Sequence, residues 1–333
     1  MNAQISLLER VEPIACNAHV TATGFLGDNL VLALGDGVLR LGPSPQSLED
    51  RIAHPDAAVL VALTDGNRVV TGGDDGRVVV TDVGGTAEIF AEPRGRWIDA
   101  LAGGPAGALA WSVGKTVTAR DGKRRLSTWE APSSARGLAF APKGFRLAVA
   151  HYNGASLWFP GTQAPPEQLE WKGSHLDVTW SHDARFVVTT MQESALHGWR
   201  LLPDKGHMRM TGYPAKTRSL SWSHDGTWLA TSGADAAVIW PFGTKEGPMG
   251  KPPRECGVRP ARVSRVAFHP RALVLATGYE DGAVMLIRFT DGAELMVRHP
   301  TEGGAVSAMA WDAAGRRLLF GCSQGAAGLL TLP

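Results

Sequence analysis

An all-β fold assembled from tandem repeats is predicted by three features of this sequence. A hydrophobic-small-aromatic triplet returns about every 40 residues. The 333-residue chain holds 40 Gly and 21 Pro, which cut it into short segments. Few stretches carry the charged periodicity of surface helices.

The triplets are Leu138-Ala139-Phe140, Val178-Thr179-Trp180, Leu220-Ser221-Trp222, Val266-Ala267-Phe268 and Met309-Ala310-Trp311. Each opens the same phrase: a turn with Asp, Gly or Pro, a short apolar run, a small-residue turn with an acid or amide, and a further apolar run. The fullest copy continues as Ser223-His224-Asp225-Gly226, then Trp228 to Gly233, Asp235 and Val238-Ile239-Trp240. Weaker copies lie upstream. Val61-Ala62-Leu63 leads into Val69 to Gly73 and Val78-Val79-Val80, Asp99-Ala100-Leu101 leads into Ala108 to Trp111, and the first copy is anchored at Phe25. The anchors stand at 25, 63, 101, 140, 180, 222, 268 and 311, which makes eight copies.

Three strands follow from each copy, and a fourth apolar-polar stretch bridges to the next at 48–54, 87–93, 126–132, 168–173, 208–214, 255–260 and 294–300. Five of these seven bridges end in Pro, as strand exits often do. Four antiparallel strands in about 40 residues is the content of one propeller blade, which buries its faces only against neighbouring blades. Residues 1–333 are therefore expected to form a single β-propeller of eight blades, with seven as the alternative if the first or third copy is an insertion. Seven bridges leave the last blade one strand short. A strand over about 3–11 is expected to fill that place and close the ring.

These phrases resemble the WD40-repeat β-propeller family, most clearly over 174–200 and 215–241. The likeness spans nearly the whole chain, although no copy ends in Trp-Asp; the pairs at that place are Thr81-Asp82, Trp158-Phe159, Trp199-Arg200, Trp240-Pro241 and Ile287-Arg288. The resemblance implies a hydrogen-bonded set of His, Ser/Thr, Asp and Trp inside a blade, for which the fifth copy offers His175, Thr189, Glu193 and Trp199. It also implies that partners dock on the face formed by the entrances to first strands and the turns between second and third strands. Arg96, Trp97, Arg136, Arg218 and Arg265 fall at the entrances, and Tyr152, Gln192 and Tyr279 at the turns. Arg and aromatic residues are what binding hot spots favour. The planar guanidinium fork suits an acidic or phosphorylated partner segment.

With 33 Lys+Arg against 32 Asp+Glu, the net charge of +1 gives no bulk attraction to nucleic acid or to a membrane surface, and neither is an expected partner. Glu9 and Arg10 interrupt the start, and no run approaches the roughly 20 apolar residues of a membrane span, so a cytoplasmic location is expected. The excess of Arg over Lys, with abundant Ala and Gly, is the composition of a GC-rich bacterial genome. Cys16, Cys256 and Cys322 show neither disulfide-framework nor metal-ligand spacing.

No phosphate-binding loop, paired-His zinc helix or nucleophile elbow occurs, and the ten His are scattered through the repeats. No catalytic, cofactor-binding or metal-binding residue is assigned. The function expected is that of a non-catalytic protein-binding scaffold. The alternative is a propeller enzyme binding a quinone cofactor or another small molecule, for which Asp121-Gly122-Lys123 with Trp129 is the one suggestive phrase. Of the 11 Trp, Trp180, Trp222 and Trp311 at anchors and Trp158, Trp199 and Trp240 in third strands are expected in the core, with Trp97 and Trp171 nearer the surface.

Overall fold

The computed structural model describes residues 6–65, 67–92, 96–202 and 205–333. Its backbone contacts group into two units, one of residues 1–52 and 218–333, the other of 53–217. In the first unit β1 (Val11–Ala15) is followed by a four-stranded meander of β2 (Val20–Leu26), β3 (Asn29–Leu34), β4 (Val38–Gly42) and β5 (Glu49–Ile52). The second unit opens with two further meanders. One is β6 (Val59–Asp65), β7 (Arg68–Gly73), β8 (Val78–Asp82) and β9 (Ala87–Ala91); the other is β10 (Ala100–Gly103), β11 (Leu109–Val113), β12 (Thr116–Arg120) and β13 (Leu126–Glu130).

A six-stranded sheet completes the second unit: β14 (Gly137–Phe140), β15 (Leu147–Trp158), β16 (Glu167–Trp180), β17 (Phe186–Met191), β18 (Leu196–Arg200) and β19 (Gly206–Met210). The first unit resumes with β20 (Leu220–Trp222), β21 (Trp228–Thr231), β22 (Ala237–Pro241) and β23 (Arg254–Cys256), then with β24 (Val263–Phe268), β25 (Val274–Tyr279), β26 (Val284–Arg288) and β27 (Ala293–Arg298). Its last sheet is β28 (Val306–Trp311), β29 (Arg317–Cys322) and β30 (Ala326–Thr331), with β1 on the outer edge. All eight anchors lie in first strands or, for Trp180, in the second half of β16.

Among the described residues the hydrogen-bonded sheets number seven, the alternative, rather than the eight separate ones expected. Neither the first nor the third copy is an insertion, since β2–β5 and β10–β13 are complete sheets. The difference lies in the fourth and fifth copies, which share one sheet through two long strands. Asn153 and Gly154 take left-handed φ of 69° and 141° within β15, and the register to β16 shifts between Tyr152 and Gly154. Gly173 takes φ 133°, where β16 leaves β15 and begins to pair with β17. Ladder bonding thus runs on across two repeats that sequence spacing separates.

The N-terminal strand is β1 at 11–15, not 3–11: Leu7–Arg10 is a 3-10 turn, and residues 1–5 lie outside the described part. Pro13 is tolerated in β1 because this strand is at the sheet edge, where a missing N–H interrupts no outer ladder.

Alternation explains the core. Second and third strands are buried on both faces, as in Leu30–Leu34, Val69–Gly73, Phe186–Met191 and Val284–Ile287, whereas fourth strands such as β9 and β13 are largely exposed. In each unit the first strands of successive sheets lie against one another: β6, β10, β14 and the second half of β16 in one, β20, β24, β28 and β2 in the other. Anchor tryptophans lock these contacts. Trp180 Nε1 donates to the Ala139 carbonyl at 3.0 Å, and Trp311 Nε1 to the Ala267 carbonyl at 3.1 Å, each reaching the residue before the preceding anchor. After three anchors a carboxylate closes the turn by accepting a backbone N–H: Asp183 from Arg185, Asp225 from Thr227 and Asp312 from Arg316.

Three tryptophan assignments change. Trp311, expected in the core, is half-buried, its indole held at the interface of first strands by the bond to the Ala267 carbonyl. Trp222 is half-buried: Phe242 packs edge-on against it at 4.8 Å, and the ring stays partly in contact with water. Trp171 is also half-buried and stacks on His197 at 4.0 Å. Trp111, Trp158, Trp180, Trp199 and Trp240 are core residues.

Candidate functional site

In the second unit five of the eight candidate residues share a continuous rim of first-strand entrances and strand turns. Arg96 and Trp97 precede β10, and Trp97 is 63% exposed. Asp99 anchors this entrance by accepting from the Gly114 N–H at 2.7 Å and from Arg136 Nη1 at 2.9 Å. The Ala135 N–H donates to the Gly114 carbonyl and the Arg136 N–H to the Ala150 carbonyl, which fixes the entrance to β14. Tyr152, 53% exposed, donates its N–H to Ser133 Oγ at 2.8 Å and pairs with Ser174. Gln192 donates its N–H to the Ser174 carbonyl and accepts from Lys216 Nζ at 3.3 Å.

A surface depression of about 280 Å³ is lined by Arg96, Trp97, Asp99 and Gly114. The Arg136–Asp99 ion pair means that Arg136 is partly neutralised, which leaves Arg96 as the cation beside Trp97 without a carboxylate partner among the described residues. Trp97 also lacks a packed aromatic neighbour among the described residues, although it is the largest exposed side chain of this rim.

In the first unit Arg218 is exposed ahead of β20, its backbone N–H held by Ser232 Oγ at 3.1 Å. Arg265 lies in β24, half-buried. Tyr279 is not at the surface: it is 0% exposed at the end of β25, and its hydroxyl donates to the Gly257 carbonyl at 2.6 Å. Burial pushes the phenol up to about 12. Strand alternation points this side chain inward against Met285 and Ile287, so Tyr279 is a core residue and leaves the candidate face.

The intrablade set also differs from expectation. His175 Nδ1 meets Thr189 Oγ1 at 2.7 Å, but Nε2 meets the Trp171 carbonyl, while Glu193 accepts from the Ser174 N–H at 3.0 Å and not from the imidazole. The longer Glu side chain reaches past the ring to the backbone. A closer match forms in the second copy, where sequence reasoning did not place it. His54 is fully buried, with Nδ1 3.0 Å from Asp75 and Nε2 2.9 Å from Thr71 Oγ1, and Asp75 also accepts from the Arg77 N–H.

Gly73 carries the signal for this set. A Cβ there would stand 2.4 Å from His54 Nδ1, so the glycine makes room for the ring. The fourth place is taken by Thr81, whose buried hydroxyl has no partner among the described residues. Asp75→Ala is expected to cost about 2–3 kcal/mol in urea melts, since it removes a charge-assisted bond to a buried ring and leaves that ring unsatisfied. Glu193→Ala should cost less than about 1 kcal/mol. Equal losses would mean that His54 and Asp75 do not form the tighter set.

Asp121-Gly122-Lys123 belongs to the β12–β13 turn, where the Asp121 carboxylate accepts from the Lys123 and Arg125 N–H groups. Trp129 packs at 6.0 Å on Trp158. Among the described residues, no three His, Cys, Asp or Glu side chains are grouped to hold a metal ion, and no helix is long and apolar enough to cross a membrane.

Comparison with known proteins places these observations. The family model "WD domain, G-beta repeat" matches residues 205–240. Protein HIR1 from two strains of the fungus Cryptococcus neoformans var. neoformans serotype D is 30% identical over 131 residues, covering 34% of this chain. The match takes in only 14% of the length of those relatives. Among solved structures, the computationally designed Ika8 protein aligns over 96% of this chain and 98% of its own, with TM-score 0.78 and 18% identity. A chain of a Mitotic Checkpoint Complex aligns over 100% and 97%, with TM-score 0.65 and 12% identity. These two likenesses concern the fold.

Proposed function

We propose that this WD40-repeat β-propeller is a non-catalytic scaffold that holds a protein partner on the rim built around Trp97. The observation that carries this reading is an exposed tryptophan beside an arginine with no carboxylate partner among the described residues, on loops already fixed by backbone hydrogen bonds. A large apolar ring held in water is unfavourable alone and becomes favourable when a partner covers it. Because the entrances to β10 and β14 are fixed in advance, little conformational entropy remains to be lost on docking. Arg96 and Arg136 add guanidinium groups for an acidic or phosphorylated segment, and Tyr152 and Gln192 extend the same rim.

The test uses the full chain, tagged at native abundance, with retained proteins identified by mass spectrometry. For the principal partner, Trp97→Ala is expected to weaken binding about tenfold or more, the range of an interface hot spot, with unchanged denaturant melts. Rising salt should weaken binding as well. Trp199→Ala serves as the contrast, since emptying that core site should cost about 3–5 kcal/mol of stability. Undiminished binding by Trp97→Ala would move the docking surface away from this rim.

A further inference from the structure

We propose that Arg218 and Arg265 form an oxyanion subsite that takes a carboxylate or phosphate group carried by a peptide segment of the partner; this rests on the scaffold reading. The geometry starts in the sequence. Ser219 stands just before β20, and its Oγ bridges to the neighbouring first strand β24 by donating to the Val266 carbonyl at 3.3 Å and accepting from the Val266 N–H at 3.1 Å. The register of β24 against β25 shifts between Val263 and Arg265. Residues 218 and 265, each next to a member of this bridge, are thereby brought side by side.

Arg265 is held firmly. Its Nε donates to the Ser307 carbonyl at 2.6 Å and its Nη1 to the Ser264 carbonyl at 2.9 Å. These are neutral acceptors, and no carboxylate among the described residues pairs with Arg265 or with Arg218. The nearby acids are already engaged: Glu280 with Arg262 and Asp281 with Arg259, both at 3.0 Å. Burial, and then the charge of Arg218, push the Arg265 guanidinium down from its ordinary range. A desolvated cation next to a second cation is an unfavourable arrangement that an incoming anion would relieve. A strut of backbone carbonyls accounts for Arg265 alone. It leaves Arg218 unexplained, whereas an oxyanion shared by two guanidinium forks uses both.

The first probe is inorganic phosphate, titrated against chloride at matched ionic strength and read by thermal unfolding. Phosphate should raise the melting temperature of the unaltered chain, and Arg218→Gln should weaken the apparent affinity about tenfold. Because Arg218→Gln removes one of two repelling charges at an exposed position, its melting temperature in chloride should equal or exceed that of the unaltered chain. A phosphate shift that is absent, or equal in both proteins, overturns the subsite.

The second probe is a Glu-rich decapeptide, with its Gln counterpart as control. Binding of the Glu peptide that is lost in Arg218→Gln supports the peptide-borne anion. Binding of phosphate without the Glu peptide overturns that assignment and leaves a free-anion site. The scaffold reading is judged separately by Trp97→Ala, which does not touch this pair, so the two can fail independently.

Discussion

A chain that begins at Cys16, lacking residues 1–15, is expected to aggregate or to melt about 10 °C or more below the full chain. β1 is the outer strand of the last sheet, registered from Val11 against Leu330 to Ala15 against Ala326, and its removal turns β30 into an unpaired edge. Ile14 is buried with Leu30, Leu34 and Leu329, while Leu7 and Val11 pack on the cluster that contains Phe320 and Leu330. Full burial of one such side chain is worth about 1.5–3 kcal/mol and partial burial less, so these three contribute about 4–6 kcal/mol before ladder hydrogen bonds are counted. At about 2 °C of melting temperature per kcal/mol for a large chain, the expected fall follows.

Two further contacts tie the segment to the neighbouring meander. Arg40 Nη1 donates to the Ala15 carbonyl at 2.7 Å, and Gln46 Nε2 to Glu12 at 2.9 Å. A peptide of residues 6–18 added to the truncated chain should restore part of the lost melting temperature by re-forming the edge. A truncated chain that melts like the full one would show that β28, β29 and β30 support their sheet without β1.

The repeat period was the legible part of this fold, and the reason is physical. A blade buries its second and third strands on both faces, so their apolar runs recur at nearly constant spacing whatever the loops do. The fourth strands were found at 49–52, 87–91, 126–130, 206–210, 254–256 and 293–298, all within or close to the predicted bridges. What spacing does not reveal is where hydrogen bonding continues past a turn. The joining of the fourth and fifth copies depends on Gly154 and Gly173 in left-handed conformations, and many glycines in this sequence sit in ordinary turns instead.

Candidate site residues divided along the same line. Arg96, Trp97 and Arg136 precede first strands and Gln192 follows β17, whereas Tyr152, expected in a turn, lies within the long strand β15 and is exposed there. Tyr279 occupies a similar place in its copy but is the last residue of β25, and one step of strand alternation turns it into the core. The His54 set was missed because its copy is weak in aromatic anchors. The polar residues that define it, His54, Thr71 and Asp75, are spread over 22 positions and meet only when Gly73 lets the ring approach.

The second large expected effect is a loss of stability in mild acid that traces to His197. This residue lies in β18 with zero exposure, stacked on Trp171 at 4.0 Å and close to Trp199 at 4.6 Å, and neither ring nitrogen has a hydrogen-bond partner among the described residues. Burial, followed by the neighbouring His207, His175 and Arg209, pushes its pKa down to about 3. The ring is therefore neutral in the folded chain, whereas in the unfolded chain it titrates near its ordinary value of about 6.5.

Below that value the unfolded state binds a proton that the folded state refuses. Stability is then fully present above about pH 6.5 and falls by about 1.4 kcal/mol per pH unit down to about pH 3. At pH 4.5 the loss from this one ring is about 2.7 kcal/mol. His151 and His175, both pushed down by burial, act in the same direction. His197→Phe keeps an aromatic ring against Trp171 and removes both the titration and the two unsatisfied nitrogens. In urea melts it should be as stable as the unaltered chain or more so at pH 7.5, and its loss between pH 7.5 and 4.5 should be smaller by about 2–3 kcal/mol. An undiminished pH dependence in that variant would assign the acid sensitivity to His151 and His175 and remove His197 as its main source.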